Sequence, residues 1–353
     1  MKKVAIIGSH GLYANYGGWD QLVKNLAERK STNIIYIIFN SSDSAKNTKT
    51  PPEGVIVKRL WFKASGFQGL FFDFWSILIC YWKVDSILFL GVQGIPLIPL
   101  LKLIRKVKIV SNVGGIEWER PKFGFFSRAY LKFCFRLSFI HSDTVILDNQ
   151  HYYNYLPANI KSDIKVIPYG GEIDTSLSVT REIEIKYPFI KSDFFLSISR
   201  SLEDNLLDEL CDSFIGSDHT LVLISNLTNS AYGVSVLNKY SKCKNIVLIN
   251  GLYHKPELDL LRRKCKAYIH THTLCGTAPS LVEMIISNRP VISIDRPQNR
   301  FTLHDQAFFF SKFSEIHQML SVHNDLSSYV PSDDIRKFYE WNKIVTDYEI
   351  LMQ

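Results

Sequence analysis

His270-Thr-His-Thr-Leu-Cys-Gly-Thr-Ala-Pro-Ser-Leu-Val-Glu283, followed by Asn288-Arg-Pro-Val-Ile-Ser-Ile294, decides how this chain is read. The order is a strand end, a tight Gly276-Thr277 turn, a helix start and a second apolar strand. Backbone N–H groups in such a turn and in the first helical turn lack intrahelical partners and favour an anion. Glu283, one to two turns into the helix, is placed to reach sugar hydroxyls. A nucleoside diphosphate sugar presents both groups. Its usual place is the crevice at the carboxyl ends of a parallel sheet.

Outward from this stretch, apolar runs alternate with helical patterns. Val4–Ile7, Ile34–Phe39, Val55–Leu60, Ser86–Leu90, Lys108–Asn112, Thr144–Asp148 and Lys165–Ile167 read as strands. Trp19–Arg29, Gly69–Trp82, Pro96–Lys106 and Phe125–Phe139 read as helices between them. A second alternating series runs from Phe194 to Ile294, after a turn cluster at 168–172 and a polar stretch at 174–184. The pattern is α/β, with parallel sheets covered on both faces. The expected division is 1–172, 173–332 and a terminal helical segment 333–353, and two α/β halves joined by a linker suggest a cleft between them.

Composition narrows the class. With 353 residues, 46% hydrophobic and 21% charged, the chain suits two globular cores. The six cysteines contain no C-x-x-C pair, which excludes a zinc ribbon or a thioredoxin-type motif and fits reduced thiols in a cytosolic protein. Val4–Ile7 is too short for a signal-peptide core. The longest apolar region, 69–99, is interrupted by Asp73, Lys83 and Asp85, so no run reaches the ~18 residues of a membrane span. Residues 1–175 carry 22 Lys/Arg against 13 Asp/Glu, and the remainder 19 against 21. The basic half is also the aromatic half, which favours anionic partners, an anionic membrane surface among them. The expected location is the cytoplasm, including the inner face of its membrane.

Several segments carry candidate chemistry, each beside a plainer structural reading. The loop from Gly8 to Asp20 lacks G-x-G-x-x-G but ends in Gly17-Gly18 at a helix start, which suits close approach of a phosphate; the alternative is an ordinary β–α connection. Asn112–Lys122 places Glu117, Trp118, Arg120 and Lys122 past a strand end, for sugar stacking and hydroxyl contacts, or as a solvated loop with one anchored Trp. Lys122–Arg136 interleaves basic and aromatic residues, for a membrane surface or lipid substrate, or as a core-facing helix with snorkelling cations. No nucleic-acid module accompanies it, and nucleic acid is not an expected partner. Arg200 at a strand end suits a diphosphate clamp or a surface pair with Glu203 or Asp204. His270 and His272 share a strand face, but no third metal ligand stands near them in sequence, so no metal is expected. Cys275 has no activating neighbour in sequence.

Together these pieces resemble bacterial family-4 glycosyltransferases of the GT-B fold, and within them the rhamnosyltransferase group of polysaccharide and O-antigen assembly. The resemblance covers nearly the whole chain: Tyr16-Gly17-Gly18-Trp19-Asp20, Gly115-Ile-Glu117-Trp118-x-Arg120-x-Lys122, Ile167-Pro-Tyr-Gly170, the His270–Glu283 block and Tyr339-x-Trp341-x-Lys-Ile344. It implies two Rossmann-like domains facing a cleft, with the C-terminal helix crossing back to the first. The first domain would hold a saccharide acceptor, lipid-linked in such pathways, with Tyr16, Trp118, Arg120 and Lys122. The donor would meet Gly17, Gly18, Asn205, His272, Gly276, Thr277, Ser280 and Glu283. Arg200, Glu117 and Asp20 would serve catalysis.

The resemblance further implies a retaining transfer without metal or cofactor, from dTDP-L-rhamnose. A UDP-hexose or UDP-N-acetylhexosamine donor and a non-catalytic assembly subunit are the competing readings. Gly114 stands where the group usually carries an acid. Cys275 stands where the wider family has the first glutamate of E-x7-E.

Overall fold

The computed structural model describes residues 1–14, 17–44, 49–119, 124–322 and 325–353, without the side chains of Glu117, Ser321 and Val322. The chain divides into two compact units: Met1–Tyr169 with Trp341–Gln353, and Gly170–Glu340.

The first unit runs β1 (Lys2–Ile7), α1 (Gly18–Arg29), β2 (Ile34–Asn40), β3 (Val55–Arg59), α2 (Phe67–Cys80), β4 (Ser86–Leu90), α3 (Ile98–Lys102), β5 (Lys108–Asn112), α4 (Phe125–His141), β6 (Thr144–Leu147) and β7 (Asp163–Val166). Its seven strands are ordered β3-β2-β1-β4-β5-β6-β7, and every pairing is parallel. Strands buried on both faces read as unbroken apolar runs, as Ile34-Ile-Tyr-Ile-Ile-Phe39 does. One face, with Val4, Ile6, Ile38, Leu88 and Val110, packs against α1. The opposite face, with Ala5, Ile37, Phe89 and Ile109, packs against α2 and α3. Val145 pairs beside Ser111 on that same face and meets α4 through Cys134, Phe135 and Phe139.

The second unit runs α5 (Arg181–Lys186), β8 (Phe194–Ile198), α6 (Leu207–Asp212), β9 (Thr220–Ser225), α7 (Ala231–Tyr240), β10 (Ile246–Asn250), α8 (Lys255–Lys264), β11 (Ala267–His270), α9 (Pro279–Ile286), β12 (Val291–Ile294), α10 (Pro297–Leu303), β13 (Phe308–Phe310), α11 (Phe313–Val322) and α12 (Asp333–Phe338). Its sheet is parallel, ordered β10-β9-β8-β11-β12-β13. The strand order reverses between β8 and β11, as it does between β1 and β4 in the first unit. Such switch points leave a crevice beyond the strand ends.

Three expectations change. Pro96–Lys106 is a 3-10 turn followed by only the short α3. The polar stretch after 174 contains α5, whose start is capped by the Thr180 hydroxyl accepting from the Ile183 N–H at 3.4 Å. The segment 333–352 is two helices, α12 and α13 (Trp341–Met352), divided at Tyr339-Glu340. Tyr339 is held in the second unit: its hydroxyl donates to the Thr302 carbonyl at 2.8 Å and its own carbonyl accepts from the Gly171 N–H. The divisions therefore fall after Tyr169 and after Glu340 rather than after 172 and 332.

Helix α13 closes the first unit. Trp341, Ile344, Val345, Tyr348 and Met352 join the core cluster of β1, β2 and α1. Burial of each such side chain contributes about 1.5–3 kcal/mol.

Candidate functional site

In the second unit the loops that leave β8 and β11, neighbours at the switch point, are clamped together. The Thr271 hydroxyl donates to the Asn205 carbonyl at 2.5 Å. Thr273 donates its N–H and its hydroxyl to the Asp204 carbonyl, at 3.0 and 2.8 Å. The Asn205 amide in turn donates to the Arg200 carbonyl at 2.7 Å. From the far side, Asn299 and Gln298 of α10 donate to the carbonyls of His272 and Thr273. This lattice leaves the Arg200 side chain exposed and close enough to His272 for its charge to be felt.

His270 is fully buried; among the described residues neither ring nitrogen meets a hydrogen-bond partner within 3.5 Å, and Asn299 is the polar side chain that acts on the ring. Burial, with His272 second, holds its pKa well below the usual histidine value. The His272 ring lies 4.3 Å from that of His270, and its Nε2 is buried and unmet. Burial, then the Arg200 charge, brings His272 down to about 4. Both rings are therefore neutral near pH 7. The fold also supplies what the sequence spacing lacked, a third donor: His270, His272 and Cys275 each bring one ligand atom within 4.8 Å of the others.

Helix α9 begins after this loop, with Ala278 at its N-cap, Pro279 at the first position and no side-chain cap. Thr277 is buried, while Gly276 and Ser280 are half-buried at its mouth. Tyr268 beneath donates to the Ile198 carbonyl at 3.1 Å, and burial pushes its phenol up to about 12. Glu283 keeps 24% side-chain exposure while its Oε2 pairs with Arg262. Arg262 is buried and also donates to Asp259 at 2.5 Å; Asp259 further accepts from Lys255 and from the Asp174 N–H. Burial opposes the Arg262 charge, but Glu283 and Asp259 outweigh it, and its pKa rises. Sequence reasoning missed Asp259 and Arg262. Their signal was two turns of α8 carrying charges at Lys255, Asp259 and Arg262, the spacing of a paired face.

In the first unit, Tyr16, Arg120 and Lys122 lie outside the described residues, as does the side chain of Glu117. Asp20 is buried in α1 and accepts from the His10 N–H at 2.9 Å, with the His10 ring 3.5 Å away. The interaction of the ring with Asp20 raises the His10 pKa, and the backbone bond makes Asp20 the brace of the β1–α1 loop. Gly17 has an extended backbone that any residue adopts, and open space where a Cβ would stand. Gly18 begins α1. Gly114 has φ +62°, and a Cβ there would lie 2.8 Å from the Trp19 ring. Trp118 does not stand free: its ring is set edge-on to Phe135 at 4.5 Å.

No protein-family model matches the sequence, and no curated protein matches it either. Solved structures do. Sucrose-phosphate synthase from Thermosynechococcus elongatus is similar over 99% of this chain and 98% of its own, with TM-score 0.78 at 12% identity. HepE of Anabaena, solved in complex with UDP, is similar over 99% of both chains, with TM-score 0.74 at 13% identity. The trehalose-6-phosphate synthase OtsA is similar over 100% of this chain and 99% of its own, with TM-score 0.73 at 11% identity. At such identities the likeness establishes the fold: two parallel-sheet α/β units of the GT-B type.

Proposed function

We propose that the protein transfers a glycosyl group from a nucleoside diphosphate sugar to a saccharide acceptor. The observation that carries this reading is the clamped pair of loops at the β8/β11 switch point. In the second unit Arg200 lies near His272, the loop after His272 leads into the start of α9, and Arg262 braces Glu283 on that helix. Arg200 and the N-terminus of α9 would stabilise the departing diphosphate, and Glu283 would accept from the ribose. A donor phosphate oxygen would take the acceptor proton, in a transfer with retention that needs no protein nucleophile. This is preorganised electrostatic stabilisation of a developing anion.

The finer reading, from the sequence resemblance, is dTDP-L-rhamnose as donor, a lipid-linked saccharide as acceptor and a role in cell-surface polysaccharide assembly. A UDP-hexose donor is the second reading, supported by the UDP and UDP-glucose bound in HepE.

The test is mass-spectrometric detection of transfer by the purified chain, from a panel of dTDP- and UDP-sugars to a synthetic lipid-linked saccharide, with and without EDTA. A glycosylated product, unaffected by EDTA, is expected. Absence of both transfer and donor hydrolysis across the panel would favour a non-catalytic subunit, and loss of product in EDTA would overturn the metal-free mechanism.

A further inference from the structure

Helices α2, α3 and α4 cover one face of the first unit's sheet, and their outward sides are unlike those of an ordinary surface helix. On α2 and the turn after it, Phe67, Phe71, Trp75, Leu78 and Trp82 are exposed at spacings of three and four residues, and no charged side chain separates them. A helix apolar all round belongs in a core or against lipid, yet 53% of Trp75 and of Trp82 meets solvent. Trp61 stands exposed just before α2, next to Phe62, whose ring stacks on Phe71 at 6.2 Å. Leu103 and Ile104 after α3, and Phe125, Phe126 and Phe133 on α4, are exposed too.

The three helices adjoin. Gly94, before α3, has the Asp73 and Ile77 side chains of α2 within 3.2 Å of where a Cβ would stand. Tyr130 of α4 donates to the Gln93 carbonyl at 2.9 Å.

Positive charge predominates around these residues, with Asp43 beside Ser65, Asp85 beside Lys83 and Asp143 paired with Lys102 as exposed acids nearby. Lys63, Lys83, Lys106, Lys132 and Arg136 are exposed. The only acid in α2, α3 and α4 is Asp73, which is buried on the inner side. Contiguous exposed apolar surface marks an interaction site. Tryptophans interleaved with cations match the boundary of a bilayer, where rings sit at headgroup level and cations meet anionic phosphates.

The geometry points to the outward side of α2, α3 and α4 as a docking surface for an anionic lipid bilayer. This does not rest on the transferase reading, and its test needs no turnover.

Full-length protein is floated with vesicles of phosphatidylcholine, with and without phosphatidylglycerol. Binding to the phosphatidylglycerol vesicles is expected. It should fall severalfold at about 1 M salt, where screening acts within about 3 Å. Brominated acyl chains should quench the exposed Trp61, Trp75 and Trp82, and substituting all three with Phe should abolish most of the quenching. Phe71→Ser with Trp75→Ser should weaken binding tenfold or more, and Lys132→Glu with Arg136→Glu should remove the preference for phosphatidylglycerol. Tyr253→Ser, an exposed aromatic of the second unit, should leave binding unchanged. Thermal melts check that each variant is folded. Failure of the folded parent to bind phosphatidylglycerol vesicles overturns the proposal. So does undiminished binding by the Phe71/Trp75 variant, or a solution dimer that this variant converts to monomer.

Discussion

Arg262 holds Glu283 from below: a buried guanidinium pairs with the Oε2 of a carboxylate that still faces solvent. The same guanidinium is tied to Asp259, so the rotamer of Glu283 is set by a network whose other members are buried or bonded. Glu283→Gln keeps the shape and removes the charge. Isothermal titration should show nucleotide affinity falling by about tenfold or more, the loss of a charge-assisted bond of about 1.5–3 kcal/mol. Unchanged affinity would remove Glu283 from the site. Arg262→Ala strips a partner from two carboxylates and should destabilise the chain by about 3–5 kcal/mol in urea unfolding.

Arg200 is exposed, and the bond to Asn205 uses its backbone carbonyl rather than its guanidinium. Arg200→Ala should therefore leave the melting temperature near that of the parent while lowering kcat by roughly 10²–10³, as loss of one donor to a developing anion does. A second readout needs no substrate. Burial first and Arg200 second hold His272 at about 4. An NMR titration of the variant should move His272 upward but still short of 6.5. A His272 that does not move would place the guanidinium away from that ring.

Asp73 makes stability depend on pH in the sense opposite to a salt-bridged carboxylate. Burial raises its pKa from 3.8 to about 7. The folded state then holds a proton that the unfolded state releases, so stability falls as pH rises from about 4 to about 7 and stays low above that. The shift corresponds to about 4 kcal/mol. Asp73→Asn should raise the urea midpoint at pH 8 and flatten the decline between about pH 4 and about pH 7. A variant no more stable than the parent at pH 8 would contradict the assignment.

Gly114 combines left-handed backbone with a ring directly above it. Gly114→Ala should cost about 1–3 kcal/mol, and Gly114→Asp, which installs the acid usual in the resembling family, should cost no less. Circular dichroism melts of the two variants check this. A stable Asp variant would show that Trp19 can move aside.

The strands and the turn into α9 were legible because their signals are local. Val291-Ile-Ser-Ile294 is apolar on both faces, and Gly276-Thr277 sits directly before a helix. What escaped reading depends on what lies opposite. Nothing in Phe67–Cys80 tells its outward side from its inward side, since periodicity cannot orient a helix that is apolar all round. Trp118 next to Glu117 reads as a sugar platform until Phe135, from α4, is found against it. Asp20, given a catalytic role by the resemblance alone, shows its bracing of the loop only when the His10 N–H is found on its carboxylate. Glu283 is singled out from its own helix, but Arg262, which holds it, lies on another.

The return of α13 to the first unit has a consequence for biosynthesis. Residues 1–169 leave the ribosome before residues 170–340, yet the core around Val4, Ile38 and Leu88 is completed by Trp341–Met352, which emerge after both. At about 5–20 residues per second, the interval between Tyr169 and Trp341 is roughly 10–30 s. Throughout it one face of the first sheet lacks part of its cover, while the second unit, contiguous in sequence, has all it needs to fold. The unit made second is thus the first that can be finished, and the nascent first unit is the one that needs shelter from aggregation.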